Sequence, residues 1–111
     1  MTKIFIFKKE NLYSGFEMNG HANKFAGDIL CATLSFLSIN TYNSIEKICS
    51  LTKEDMNLKV DDGYFKIFIE LKYIDEERIR SIQTLFKSFE IGVLSLKKEY
   101  NKYIEVYYKE V

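Results

Sequence analysis

The stretch GHANKFAGDILCATLS, residues 20–35, decides how this chain is organised, because it ends one predicted strand and begins the first predicted helix. Asp28 is a favoured residue for the position just before a helix, and an apolar run follows it. The spacing of apolar residues then predicts a helix over residues 29–49. The same stretch contains the single histidine of the chain, His21, and one of its two cysteines, Cys31.

Cys31 and His21 are the candidate catalytic residues. If Asp28 is the N-cap, Cys31 lies in the first helical turn, where unpaired backbone N–H groups and the helix dipole favour a thiolate. His21 follows a predicted strand and is placed to take the proton of the thiol. The N–H groups of the first turn, including that of Cys31, are the natural donors to an oxyanion. The pattern therefore favours a Cys–His nucleophilic site.

The residues around this pair are candidates for smaller roles. Gly20 and Ala22 flank the histidine, and Ser35 lies one turn beyond the cysteine, so all three are predicted to line the site. Asp28 is first of all a helix cap, but its carboxylate is also a candidate for orienting the imidazole. Asn23 is a second candidate for that orienting role. A cysteine and a histidine are sufficient for the chemistry without a third residue.

The composition limits the function classes that the chain can belong to. Its 111 residues carry 16 basic and 16 acidic side chains, so it lacks the basic excess that is typical of nucleic-acid-binding proteins. One histidine and two cysteines at positions 31 and 49 do not make a zinc pattern, and the glycines do not form a phosphate loop. We therefore expect no metal, no cofactor and no direct nucleic-acid partner.

The distribution of apolar residues predicts a cytoplasmic protein without a membrane partner. No apolar run approaches the roughly 20 residues that a bilayer span needs. The apolar run at residues 4–7 is too short for the core of a signal peptide. Two cysteines in a chain without a secretory signal indicate reduced thiols. At this length we expect one domain, residues 1–111.

The remaining pattern predicts an α+β fold in the order strand, strand, helix, strand, strand, helix, strand. The predicted strands cover residues 3–8, 12–20, 56–61, 64–72 and 102–109, and the second helix runs from about 75 to about 98. Helices interspersed among hairpin-connected strands predict a mixed, mostly antiparallel sheet of about five strands with two helices packed on it.

Several local features refine this picture. The continuous apolar run at residues 4–7 predicts a strand that is buried on both faces. Gly15 and Gly20 predict a bulge or a close approach of two backbone segments. Residues 9–11 and Asp62-Gly63 are predicted turns.

The two predicted helices differ in their apolar surfaces. The first has apolar residues on several sides and is expected to be covered on most of them, with Cys49 a buried apolar residue near its end. The second carries a seam over residues 79–96 that packs on the sheet or on a partner helix, which motivates a homodimer hypothesis. Gly92, within the seam, predicts a close-packing point.

The two pieces Gly-His-Ala at 20–22 and Asp-x-x-Cys-Ala-x-x-Ser at 28–35 together resemble the signature of the ribosomal-processing cysteine protease family, Prp. The chain is also similar to that family in its length and in its order of strands and helices. One departure is Thr33, where family members commonly carry a second alanine after the cysteine. This difference affects helix packing rather than the chemistry.

The resemblance implies specific roles and partners. Cys31 matches the nucleophile of the family and His21 its general base, with a flexible loop between them. The family is a homodimeric α/β protein. It removes a short N-terminal extension from the large-subunit ribosomal protein that is twenty-seventh in the usual naming, and it cuts after aromatic residues. The implied partners are therefore that N-terminal peptide as substrate and a second copy of the chain.

Two other functions compete with a peptidase. A non-catalytic module that docks on ribosomal components would leave Cys31 inert. A thiol redox sensor would oxidise Cys31 rather than acylate it.

Overall fold

The structure of the protein is a computed structural model that describes residues 1–20 and 27–111, with Gly27 and Asp28 described by their backbone only. The elements follow one another in the predicted order ββαββαβ. Their bounds are β1 (Thr2–Lys9), β2 (Leu12–Asn19), α1 (Gly27–Cys49), β3 (Lys59–Asp61), β4 (Tyr64–Phe68), α2 (Glu76–Glu99) and β5 (Ile104–Glu110), with a short 3-10 helix (Leu71–Tyr73) before α2.

The five strands form one mixed sheet, as predicted. Their order is β3-β4-β2-β1-β5. The central strand β1 pairs with β5 in parallel, and every other pair of neighbours is antiparallel. The strands β3 and β5 are therefore the two edges of the sheet.

Both predicted hairpin turns are confirmed. Glu10 and Asn11, between β1 and β2, have positive φ angles of 51° and 68°, which is the geometry that matches the twist of two paired strands. Asp62 and Gly63 join β3 to β4, and Gly63 has a φ of 66°.

The predicted bulge and the close backbone approach both occur in β2. Phe7 pairs with Gly15 whereas Lys8 pairs with Tyr13, so Ser14 is an extra residue in that strand. A Cβ atom at Gly15 would lie 2.1 Å from the carbonyl oxygen of Ile67 on β4. Glycine at this position lets two strands approach as closely as their pairing requires.

The core lies between the sheet and the helices, and aromatic rings from β2 and α2 form its centre. The ring of Phe16 stacks on that of Phe89, with centroids 3.8 Å apart, and packs edge-on against Phe86. The predicted seam of α2 is thus part of this core, since Ile82 and Val93 are also fully buried. The seam packs within the domain rather than on a partner helix.

The start of α2 near residue 75 and its predicted close-packing point are both confirmed. Asp75 is the N-cap, and its carboxylate accepts a hydrogen bond from the backbone N–H of Arg78. A Cβ atom at Gly92 would lie 3.0 Å from the methyl groups of Leu37 on α1. Gly92 is therefore the close contact between the two helices that the sequence predicted.

The prediction that α1 is covered on most sides is wrong. Ile29, Phe36 and Ile48 expose 75%, 69% and 63% of their surface. The sheet and α2 cover one stripe of the helix, which includes Leu30, Leu34 and Ile45, and the opposite stripe faces solvent. Within residues 1–20 and 27–111, no helix combines the length and the apolar character of a membrane span.

The third predicted strand is much shorter than expected. Met56 is fully buried but lies in a turn, and Val60, predicted on the same buried face, is 62% exposed. Asn57 interrupts the strand with a positive φ of 48°, and its amide donates a hydrogen bond to the carbonyl of Phe68. Only Lys59–Asp61 therefore pairs as β3, and β4 ends at the same Phe68.

The prediction that β1 is buried on both faces holds only in part. Ile4 and Ile6 face the core and are buried, and Phe7 on the other face is buried as well. Phe5 is only half-buried. Its ring stacks on Tyr107 at 5.2 Å between centroids and lies under the ammonium group of Lys109, so side chains of the sheet itself partly cover that face.

Candidate active site

Cys31 lies on a cleft of about 620 Å³ between α1 and the β3–β4 hairpin. The helix contributes Cys31, Leu34, Ser35, Ile39, Tyr42 and Asn43; the hairpin and the residues before it contribute Leu58, Val60, Asp61, Asp62, Gly63, Tyr64 and Phe65; and Thr2, Met18 and Gly20 complete the lining. The helical residues recur at intervals of three and four, so one stripe of α1 forms a continuous wall. The hairpin forms the facing wall.

The start of α1 differs from the prediction by two residues. The helix begins at Gly27, so Asp28 is its second residue rather than the residue before it, and Cys31 is its fifth. The first four N–H groups of a helix lack intrahelical partners, whereas the fifth donates to the carbonyl of the first residue. The N–H of Cys31 therefore does not have the unpaired position predicted for it, and the unpaired donors lie in the turn before it.

The other half of the predicted catalytic pair lies outside the described residues. His21, Ala22 and Asn23, with the loop predicted to be flexible, belong to residues 21–26, and the side chain of Asp28 is not described either. The pairing of Cys31 with His21 and the orienting roles of Asp28 and Asn23 thus stay predictions.

Gly20 fixes the point at which the chain leaves β2. It has a φ of 100°, and a Cβ atom there would lie 2.5 Å from the carbonyl oxygen of Met1. Its N–H donates to the carbonyl of Gly63 in the hairpin turn, at 2.8 Å. Residues with a side chain rarely adopt such a φ, so glycine is needed here. The chain consequently leaves the sheet at the cleft, one residue before the predicted general base.

Two of the three predicted lining residues are on the cleft. Gly20 and Ser35 line the same cavity as the half-buried Cys31. The facing wall could not be predicted from the sequence. The Asp-Gly dipeptide predicted the hairpin, but no local signal in the sequence shows that a hairpin some 30 residues later faces Cys31, because that contact depends on the order of strands in the sheet.

The cleft is mainly apolar, with carboxylates at its hairpin end. Met18, Leu34 and Phe65 are among its apolar lining residues, and the acidic residues Asp61 and Asp62 line its hairpin end. Burial raises the pKa of Tyr64 to about 12, and the hydrogen bond that its hydroxyl donates to a Glu17 oxygen at 2.8 Å acts in the same direction. This phenol is therefore neutral at physiological pH.

The second cysteine lies in a different environment. Cys49, at the far end of α1, exposes 1% of its surface, as predicted for a buried apolar residue. Burial raises the pKa of its thiol, which disfavours the reactive thiolate. Of the two cysteines, therefore, only Cys31 is accessible to a substrate in the cleft.

A sequence model of the family described as cysteine protease Prp matches residues 1–105. The chain belongs to the Prp family of cysteine proteases. The match confirms both the resemblance carried by residues 20–35 and the predicted enzyme class. A comparison with curated protein sequences finds no match.

Solved structures share the fold over almost the whole Prp chain. The protein SMU.848 from Streptococcus mutans is 28% identical with a TM-score of 0.82, and the match covers 100% of this chain and 99% of the other. S. aureus Prp, described as an essential ribosomal processing protease and solved with a substrate peptide, has a TM-score of 0.81 at 22% identity, covering 98% and 100%. The same protein with a covalently linked product peptide gives 26% identity, a TM-score of 0.74 and the same coverage.

Proposed function

We propose that this Prp protein is a cysteine endopeptidase that uses Cys31 as nucleophile and His21 as general base. The observation that carries the proposal is the position of Cys31, half-buried near the start of α1 and on the wall of a cleft. At about 620 Å³ the cleft lies within the size range of ligand-binding sites. The covalently linked product peptide in the S. aureus relative supports a covalent mechanism for the family.

The proposed reaction has two steps. His21 takes the proton of the Cys31 thiol, the sulfur attacks the scissile carbonyl carbon, and His21 returns the proton to the departing amine as the C–N bond breaks. This leaves a thioester between Cys31 and the N-terminal product. Water then attacks the thioester, and His21 accepts a proton from it and passes that proton to the departing sulfur as the C–S bond breaks. This restores the thiol and releases the N-terminal product as an acid, which ionises in water. The unpaired N–H groups of the first turn of α1, ahead of Cys31, are the proposed donors to the oxyanion.

We further propose that the substrate is the N-terminal extension of the bacterial large-subunit ribosomal protein twenty-seven, cut after aromatic residues. The relative from S. aureus is described as a ribosomal processing protease. The cleft suits an aromatic side chain because apolar residues line much of it, among them Met18, Leu34, Leu58 and Phe65.

A peptide assay tests the substrate proposal. A synthetic peptide that spans the extension and the first residues of the mature ribosomal protein is incubated with the enzyme, and its products are identified by mass spectrometry. We expect one cut, directly after the aromatic residues. A matched peptide with serine in place of those aromatics should stay intact. Equal cleavage of both peptides, or cleavage of neither, would contradict the proposal.

The remaining proposals are that residues 1–111 form a single protease domain, that it acts in the cytoplasm, and that it forms a homodimer.

Because the α2 seam is buried within the domain, a dimer must use other surface. Phe36 and Ile91 are apolar and more than half exposed on the outer sides of the helices. These two residues flank the Leu37–Gly92 contact in sequence. We expect twice the chain mass by light scattering at micromolar concentration, and a reduced mass after Phe36→Glu. A monomeric mass for the wild type would contradict the dimer.

A further inference from the structure

Among residues 1–20 and 27–111, only β4 pairs with β3, so the other backbone edge of this strand has no partner strand there. The strand β3 is one of the two edge strands of the sheet, and its residues Lys59–Asp61 are all exposed. Val60 and Asp61 line the cleft that holds Cys31, whereas no residue of the other edge strand, β5, does so. A second cavity of about 510 Å³ lies against the same strand and is also lined by Val60 and Asp61. The described residues therefore leave open space along this edge.

The register of the hairpin indicates which backbone groups point outward. The two-residue turn pairs Asp61 with Tyr64, Val60 with Phe65, and Lys59 with Lys66. In an antiparallel hairpin the pair next to a two-residue turn is hydrogen-bonded, and the next pair is not. The N–H and C=O of Val60 are then directed away from β4, toward the edge that faces open space.

The dimensions of the cleft match an extended peptide. The helical wall from Cys31 to Asn43 corresponds to about 18 Å along the axis of α1. A strand rises about 3.3 Å per residue, so this length holds about five residues of extended chain. Since a peptidase needs the scissile carbonyl accessible, an extended segment also suits the chemistry, whereas a helix would bury its own backbone groups.

We infer that the substrate peptide binds as an added strand on β3, with its backbone hydrogen-bonded to the N–H and C=O of Val60, in the space between β3 and α1. This inference rests on the proposed peptidase function, since it concerns how the same cleft holds its substrate. Addition of a strand to an exposed sheet edge is a general mode of peptide recognition, in which main-chain bonds supply affinity. The apolar residues of the cleft, together with Asp61 and Asp62, then contact the side chains of the bound peptide and provide specificity.

The test compares two substitutions of Val60 in the Cys31→Ala background, which binds without turnover. Val60→Pro removes the outward N–H and leaves the pairing with β4 intact, because proline is tolerated on edge strands where its nitrogen faces outward. Val60→Thr keeps the N–H and the branched shape of the side chain. The probe is the fluorescein-labelled ribosomal extension peptide, and its Kd is measured by fluorescence anisotropy. We expect Kd to rise about tenfold for the proline variant, as for one lost hydrogen bond, and less than about twofold for threonine.

Thermal unfolding shows whether the proline variant folds. A second measurement tests the same hydrogen bond without that variant. The peptide is made as a series with one backbone amide methylated at a time, and each is bound to Cys31→Ala with Val60 intact. We expect a loss of about tenfold at one amide and a much smaller loss at the amide on either side. Absence of binding, equal losses at all amides, or a folded proline variant that binds normally would overturn the inference. Failure of the wild type to cut a peptide that binds in this way would instead refute the peptidase proposal.

Discussion

Replacement of Cys31 by alanine is expected to abolish peptide cleavage by this Prp protein while the fold is retained. The variant lacks the only thiol on the cleft, so no thioester can form, and kcat should fall by at least about 10³-fold. Because the side chain is small and only half-buried, the free energy of unfolding should change by less than about 1 kcal/mol. The two quantities are measured as the cleavage rate of the extension peptide and as thermal unfolding.

Cys49 gives the matched control for this experiment. Cys49→Ala also removes one thiol from α1, but at a position about 27 Å farther along the helix axis and inside the core. It should keep the cleavage rate within about twofold and lose about 1 kcal/mol of stability, because a small cavity replaces the buried sulfur. The opposite result, with full activity in Cys31→Ala and loss in Cys49→Ala, would end the assignment of the nucleophile.

The fold was predictable where local chemistry determines it. The turn at Glu10 and Asn11, the N-cap at Asp75 and the buried faces of β4 and α2 follow from residue preferences and periodicity that act within a few positions. The extent of β3 was not predictable, because Asn57 adopts a positive φ that its neighbours do not require. The exposed side of α1 was not predictable either, since coverage of a helix depends on elements far away in the sequence.

The candidate site was likewise predictable only where a local motif indicates it. The motif at residues 20–35 indicated Cys31, Gly20 and Ser35, and these three residues line one cleft. The facing wall, with Val60 and Asp61, arises from the strand order β3-β4-β2, which brings a late hairpin beside an early helix. Sequence periodicity contains no information about that order, so the wall was found only from the structure.

Replacement of Glu90 by alanine is expected to cause a large loss of stability. This carboxylate is only 4% exposed and accepts hydrogen bonds from Tyr13 Oη at 2.7 Å, Tyr108 Oη at 2.6 Å and Lys87 Nζ at 2.8 Å. It thereby connects α2 to both β2 and β5. Its removal leaves these donors without their acceptor, which costs about 3 kcal/mol and lowers Tm by more than about 10 °C.

The pH dependence of stability identifies the cause of that loss. Burial alone would raise the pKa of Glu90, but the hydrogen bonds from Lys87, Tyr108 and Tyr13 outweigh it and lower the pKa to about 2, from an ordinary value of 4.5. The unfolded chain therefore binds a proton below pH 4.5 that the folded chain does not. The contribution of Glu90, about 3 kcal/mol, is complete above that pH and is lost as the pH falls through 2.

The two stability curves should consequently converge in acid. The difference in unfolding free energy between wild type and Glu90→Ala, measured by urea denaturation, should be about 3 kcal/mol at pH 7 and shrink between pH 4.5 and pH 2. Glu99→Ala is the control, because this glutamate is exposed in the last turn of the same helix and should change stability by less than about 0.5 kcal/mol at every pH. A difference that stays constant down to pH 2 would mean that lost packing, and not the ionised carboxylate, causes the effect.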